Sequence, residues 1–110
     1  MHFDVEEGDQ HLKIVVPERR IDAAIATQFK DKLRPLVMKS KKPVHLDMRL
    51  VDFMDSSGLG AMIAVRKSLP EGMPLVLLSV TPNVERVFRL TRMDSVFDLR
   101  CAPVAEGGAA

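Results

Sequence analysis

The run Leu75-Val76-Leu77-Leu78 contains no polar residue, as expected of a strand buried on both faces rather than one alternating between core and water. Such a strand needs parallel neighbours, and parallel neighbours need crossover helices. The chain offers both. Val44-His45-Leu46-Asp47-Met48 alternates as a strand, with a helical pattern on either side. Before it, Ile25, Phe29, Leu33 and Leu36-Val37 recur at helical spacing, with Lys30, Asp31, Lys32 and Arg34 on the other side and Asp22 ahead as N-cap. Pro35 removes a backbone donor inside this pattern, which predicts a kink or an end near Arg34, with a weak extension to about Met38. After the strand, Leu59, Met62, Ile63 and Leu69 give a second helix its inner face, and Pro70-Glu71-Gly72 stops it.

Thr81-Pro82 reads as an N-cap followed by proline at the first helical position. Val84, Val87, Phe88 and Thr91 form the inward stripe of that third helix, and a last strand fits Val96 to Leu99. At the other end, Phe3 and Val5 alternate with polar neighbours, Glu6-Glu7-Gly8-Asp9 reads as a turn, and Leu12 to Val16 is a second strand stopped by Pro17. Glu18-Arg19-Arg20 is a polar connection. The order of two strands, then helix and strand three times over, predicts an α/β fold. Its mixed sheet has about four to five strands, with about three helices on right-handed crossovers covering its faces.

At 110 residues this is one domain, expected over 1–104, with Ala105-Glu106-Gly107-Gly108-Ala109-Ala110 as a flexible small-residue tail. The net charge of +1 gives no general attraction to nucleic acid or anionic membrane. Without Trp or Tyr, and with five Phe, the chain lacks a stacking platform for single strands. Its single cysteine, Cys101, cannot close an internal disulfide, which fits a reducing compartment. No apolar run is long enough to insert in a membrane, and the N-terminus lacks the pattern of a signal peptide, so the expected location is cytoplasmic. Three scattered histidines and one cysteine have no metal-ligand spacing, and no cofactor motif is present. Lys39-Ser40-Lys41-Lys42-Pro43 reads as a solvated helix C-terminus, where cations suit the macrodipole, or as a phosphate or nucleic-acid patch. Arg86, Arg89 and Arg92 read as a solvated face or as a site for an acidic partner.

The chemistry-bearing stretch is Phe53-Met54-Asp55-Ser56-Ser57-Gly58-Leu59-Gly60, between an apolar run and the second helix. It is not a nucleophile elbow, because Met54 and Asp55 stand where the first glycine of Gly-x-Ser-x-Gly would be for Ser56 and Ser57. It is not a phosphate-cradling loop either, since Gly58-Leu59-Gly60 lacks the third glycine of the dinucleotide pattern. No catalytic residue is assigned. Small polar residues at a strand-to-helix junction are ordinarily an N-cap. What capping leaves unexplained is Gly58 and Gly60 in the first turn, each costing about 1 kcal/mol relative to Ala. They expose backbone to an approaching protein, which makes the corner a candidate docking site.

The stretch Val51 to Gly60, above all Asp-Ser-Ser-Gly-Leu-Gly, resembles the signature of the STAS family, the sulfate-transporter and anti-sigma-factor-antagonist domains. The likeness extends over roughly residues 10–99. It includes the helix start Ile21-Asp22-Ala23, the Val44 to Met48 strand and Thr81-Pro82-Asn83-Val84-Glu85-Arg86-Val87-Phe88. With no transmembrane segment attached, the free-standing antagonist branch is the closer match. The resemblance implies that Ser56, directly after the aspartate, is phosphorylated, and that Asp22, Asp55, Ser57, Gly58, Leu59 and Gly60 contribute to partner binding. The implied partners are an anti-sigma factor that is also a serine kinase of histidine-kinase-type ATPase fold, and a metal-dependent serine phosphatase. Unphosphorylated antagonist captures the anti-sigma factor and frees a sigma factor; phosphorylated antagonist releases it. The alternative is an accessory subunit docked on another ATPase or transporter assembly, with Ser56 never modified.

Placed at the N-cap, Ser56 would carry its phosphate at a helix mouth with free N–H groups. The sequence departs from the family in two places. Arg19-Arg20 stand before Ile21-Asp22 where Gly-Glu is common, and they either pair with a phosphoserine or are solvated. Ala102 to Ala110 also stand where antagonists often have a further helix.

Overall fold

The first two strands meet through a tight turn in which Gly8 N–H donates to His11 O at 2.9 Å. They are β1 (Asp4–Glu7) and β2 (Leu12–Val15), antiparallel, with Val5 opposite Ile14 and Glu7 opposite Leu12. Glu6 and Glu7, expected in the turn, therefore belong to the strand. The computed structural model describes residues 1–101, so the tail expected at 105–110 and the departure at Ala102 to Ala110 lie outside the described residues. The remaining elements are β3 (Arg20–Ile21), α1 (Ala26–Lys39), β4 (Val44–Asp47), β5 (Phe53–Met54) and α2 (Ser56–Lys67), then β6 (Leu75–Val80), α3 (Pro82–Leu90), a 3-10 turn (Met93–Ser95) and β7 (Asp98–Cys101).

The main sheet has the order β1-β2-β4-β6-β7, and every pair after the hairpin is parallel. From β2 onward each crossover steps to the next strand in the same direction. Right-handed crossovers that never reverse place all their helices on one side. Accordingly Phe29, Leu33 and Val37 of α1, Leu59, Met62 and Val65 of α2, and Val84 and Phe88 of α3 share one core with Leu12, Ile14, Val44, Leu46, Leu75 and Leu77. The expectation that helices cover both faces is corrected. On the opposite face Lys13, Val15, His45 and Leu78 are half-buried, and Val76 lies between His45 and Asp98 in the register.

Helix α1 runs through Pro35 to Lys39 instead of ending near Arg34. Pro35 is on the exposed side, while Leu33 and Val37 are fully buried either side of it. Burial of that stripe holds the helix past the missing N–H. Thr91 is exposed, its hydroxyl donating back to Val87 O at 2.7 Å rather than joining the inward stripe. The last strand begins at Asp98, not Val96, because the 3-10 turn places Phe97 edge-on against Phe88 at 5.3 Å between centroids.

On the face without helices, His11 and His45 stack with centroids 4.1 Å apart and planes 12° from parallel. Burial first, then His11 and Arg100, push the His45 imidazole below its ordinary value, while Asp98 opposes them. The folded state thus favours neutral His45, and the unfolded chain takes up the proton first as the pH falls below about 6.5. Stability is expected to drop as the pH falls through and below about 6.5, as followed by thermal melting. His45→Gln should flatten that drop; an unchanged drop would show that the stacked pair does not cause it. The depressed carboxylates Asp52 and Glu85 act in a separate, more acid window, below about pH 4.

Candidate functional site

The path of the chain into the corner is set by two strands too short to announce themselves in sequence. β3 and β5 pair in parallel, Arg20 opposite Phe53 and Ile21 opposite Met54. Arg19 O accepts from Asp52 N at 2.9 Å and Phe53 N at 3.2 Å, and Asp55 N donates to Ile21 O at 3.4 Å. From the other side, the Thr81 hydroxyl donates to Val51 O at 2.6 Å. Thr81 is the N-cap of α3 by position but spends its side chain on the corner instead.

Asp55 is the N-cap of α2, in extended geometry (φ −103°, ψ −171°), and Ser56 is the first helical residue. The expectation of Ser56 at the N-cap is corrected by one position. Asp55 Oδ1 accepts from Gly58 N at 3.0 Å and its carbonyl accepts from Leu59 N at 2.9 Å. Its other oxygen, Oδ2, accepts from Ala23 N at 3.2 Å. One carboxylate thus closes α2 and holds the segment that leads into α1.

That tether also moves Asp22 from its expected role. Asp22 Oδ1 accepts from Ala24 N at 3.1 Å, and its carbonyl accepts from Ile25 N at 3.1 Å and Ala26 N at 2.9 Å. Asp22 therefore closes a separate turn, and α1 itself begins at Ala26, with Ile25 in the cap position and no side-chain cap bond.

The structure separates the remaining residues of the motif by direction. Ser56, Ser57 and Gly60 are exposed; Gly58 and Leu59 are buried. Leu59 belongs to the core. A Cβ on Gly58 would stand 2.1 Å from Ile21 O and 2.9 Å from Met54 Cγ, so this glycine is required by the approach of α2 to β3 rather than by an arriving protein. A Cβ on Gly60 would meet nothing within 4 Å. Of the two glycines, only Gly60 opens the surface. Among the described residues, the Ser56 and Ser57 N–H groups have no protein acceptor, so the helix mouth retains two donors and its positive dipole end.

Beside the two serines lies a groove of about 240 Å³ between α1 and α2, lined by Ala23, Thr27, Lys30, Ser57, Gly60 and Ala64. Its α1 wall was not foreseen from sequence. The signal was there in the small residues Ala23, Ala26 and Thr27, which let the two helices approach.

The two arginines are committed within the β3–β5 surface. Arg19 Nη2 lies 2.7 Å from Asp52 Oδ2. That hydrogen bond holds the Asp52 carboxyl below its usual range and raises the Arg19 guanidinium in turn. Arg20 stacks 4.1 Å above the Phe53 ring and reaches Asp22 Oδ2 at 3.5 Å. Of the histidines, His2 faces Asp4 and the other two stack on each other, so none supplies a base to Ser56. Arg89 pairs with Glu85 at 2.6 Å and Asp94 at 4.0 Å, which absorbs one member of the three-arginine row. Among the described residues no group of three or more His, Cys, Asp or Glu can hold a metal ion, and no helix is long and apolar enough to cross a membrane.

The profile of the STAS domain family matches residues 2–106. The chain belongs to the STAS family. It is 29% identical over 100 residues to the anti-sigma-B factor antagonist of Listeria monocytogenes, covering 89% of this chain and 87% of the relative. Its fold is shared with an anti-sigma factor antagonist from Mycobacterium paratuberculosis, at a TM-score of 0.79 and 23% identity over 98% of this chain and 90% of that one. It is also shared with the Bacillus cell fate determinant SpoIIAA in its phosphorylated form, at a TM-score of 0.62 and 18% identity over 99% and 100% of the two chains. The first two of these relatives are named for the factor they oppose and not for a reaction.

The two glycines of the STAS motif here make opposite predictions. Gly58→Ala is expected to destabilise the domain by about 3 kcal/mol or more, because the methyl meets backbone that cannot yield. Gly60→Ala is expected to stabilise it by about 1 kcal/mol, since it adds a helix former in open space. Urea unfolding of the two variants checks both; similar effects would contradict the close approach at Ile21.

Proposed function

We propose that this protein is an anti-sigma-factor antagonist, a non-enzymatic partner-switching regulator acting in the cytoplasm. Its unphosphorylated form captures an anti-sigma factor that is also a serine kinase of histidine-kinase-type ATPase fold. Phosphorylation of Ser56 releases that partner, and a serine phosphatase resets the switch. The observation that carries this reading is the state of Ser56: exposed, first in its helix, and relieved of capping by Asp55. The names of its relatives, and the existence of one of them in a phosphorylated form, support it.

The contact surface we assign is Ser56, Ser57 and Gly60 with the α1 wall of the adjoining groove, while Asp55 and Asp22 hold that surface in place. Gly58 and Leu59 serve it from beneath. A phosphate brings about −1.5 to −2 charges at neutral pH. On the free domain it meets water, two open N–H groups and the dipole, worth about 0.3–1 kcal/mol. Inside an interface it must be desolvated at a cost of several kcal/mol, and each 1.4 kcal/mol is about tenfold in affinity.

Incubation with the cognate kinase and ATP is expected to add one phosphate, mapped by mass spectrometry to Ser56 and abolished by Ser56→Ala but not by Ser57→Ala. Phosphate on Ser57, or none with that kinase, would refute the assignment. Ser56→Asp should weaken kinase binding at least about tenfold, while changing stability by less than about 0.5 kcal/mol. A large loss of stability would instead assign Ser56 a structural role.

A further inference from the structure

The end of the domain opposite Ser56 holds a cavity for which the switch has no use. A groove of about 380 Å³ opens between the first hairpin and the C-terminal turn of α1, within the usual size of small-molecule sites, about 300–1,000 Å³. Its floor is aliphatic, made by Val5, Leu12 and Leu36. Leu12 belongs to the core and Leu36 packs against it, but Val5 is left 44% exposed.

The rim is cationic. Lys39, Lys41 and Lys42 line it, with Glu7 as the one acid. Lys42 is already committed, donating to Glu7 Oε2 at 3.2 Å and Gly8 O at 2.6 Å, and so latches the hairpin turn to the loop after α1. Ser40 stiffens that loop by donating to Lys42 O at 2.7 Å and accepting from Lys42 N at 3.1 Å. Lys39 and Lys41 have no ion-pair partner among the described residues. The rim therefore keeps two unanswered positive charges beside an aliphatic floor of which Val5 is the exposed part. A solvated helix C-terminus accounts for the lysines but not for the floor.

That combination selects for chemistry. A small polar anion would leave the floor in water, and a neutral hydrocarbon would leave the lysines unpaired. We infer that the groove binds a fatty acid, its acyl chain along Val5, Leu12 and Leu36 and its carboxylate between Lys39 and Lys41. The two grooves share no lining residue, and along α1 their nearest ones, Lys30 and Leu36, are about 9 Å apart, so occupancy here leaves the phosphorylation corner open.

The test is titration of laurate, below its micelle concentration, into the ¹⁵N-labelled full-length chain. Saturable amide shifts are expected at Val5, Leu12, Leu36 and the loop from Lys39 to Lys42, with Ser56 to Gly60 unmoved. The double variant Lys39→Glu, Lys41→Glu changes only exposed side chains and should bind laurate about tenfold more weakly or worse. Val5→Asp, also at an exposed position, should weaken it comparably. Four results would each overturn the proposal: no saturable shift, shifts spread over the whole surface, dodecyltrimethylammonium binding as tightly as laurate, or acetate alone reproducing the laurate shifts. Unchanged affinity in the charge-reversed variant would do the same.

Discussion

The Asp55 carboxylate is the contact on which the corner depends, because it is divided between two helices. One oxygen caps α2 at Gly58 N and the other holds Ala23 N ahead of α1. Caps of this kind are worth about 0.5–2 kcal/mol when removed singly. Here the same group also fixes the relative position of the two segments that form the groove walls. Its second consequence is negative: with Asp55 as the cap, neither serine hydroxyl is needed for folding. The backbone beneath is equally constrained, since α2 approaches β3 so closely that only glycine fits at position 58.

The sheet explains why the domain has two unlike surfaces. Strand order follows chain order from β2 to β7, so handedness puts α1, α2 and α3 on one side. Among the described residues there is no reversal of direction of the kind that gives doubly wound sheets a ligand crevice at the strand ends. The opposite face instead carries Lys13 and the stacked His11–His45 pair. Asp47, only 3% exposed, is held there by Arg49 N at 3.0 Å and by Lys13 Nζ at 3.6 Å. What the sequence offers the corner is thus built at the carboxyl ends of the strands by short side elements, not by the sheet itself.

Those side elements mark where sequence reading stops. Periodicity located the three helices, the hairpin and the order of elements along the chain, because burial of Phe29, Leu33 and Val37 or of Val84 and Phe88 leaves a local trace. The β3–β5 pairing leaves none: two residues on each side, joined across more than thirty positions, have no period to detect. The cap is ambiguous for a different reason. Asp55, Ser56 and Ser57 are all competent, and the choice is made by a distant N–H, that of Ala23. Gly58 and Gly60 look alike in sequence for the same reason; the carbonyl of Ile21, far away in the chain, tells them apart. Pro35 misled through a local rule that burial of its neighbours overrides.

The one-residue displacement of Ser56 from the cap sharpens the physics of a switch. A phosphorylated cap would have to abandon its bond to the helix, so modification and unfolding would be coupled. At the first helical position the two are separable. A phosphate there lies between two opposing influences, the free Ser56 and Ser57 N–H groups, which favour it, and the neighbouring Asp55 carboxylate, which does not. Both act at an exposed site and largely offset each other, each small against the core that holds α2 through Leu59, Met62 and Val65. Desolvation in a protein interface has no such counterweight unless the partner supplies one. Arg19 and Arg20, already engaged with Asp52, Phe53 and Asp22, do not stand ready to supply it from within the domain. The energetic consequence of the modification therefore falls on binding and not on folding.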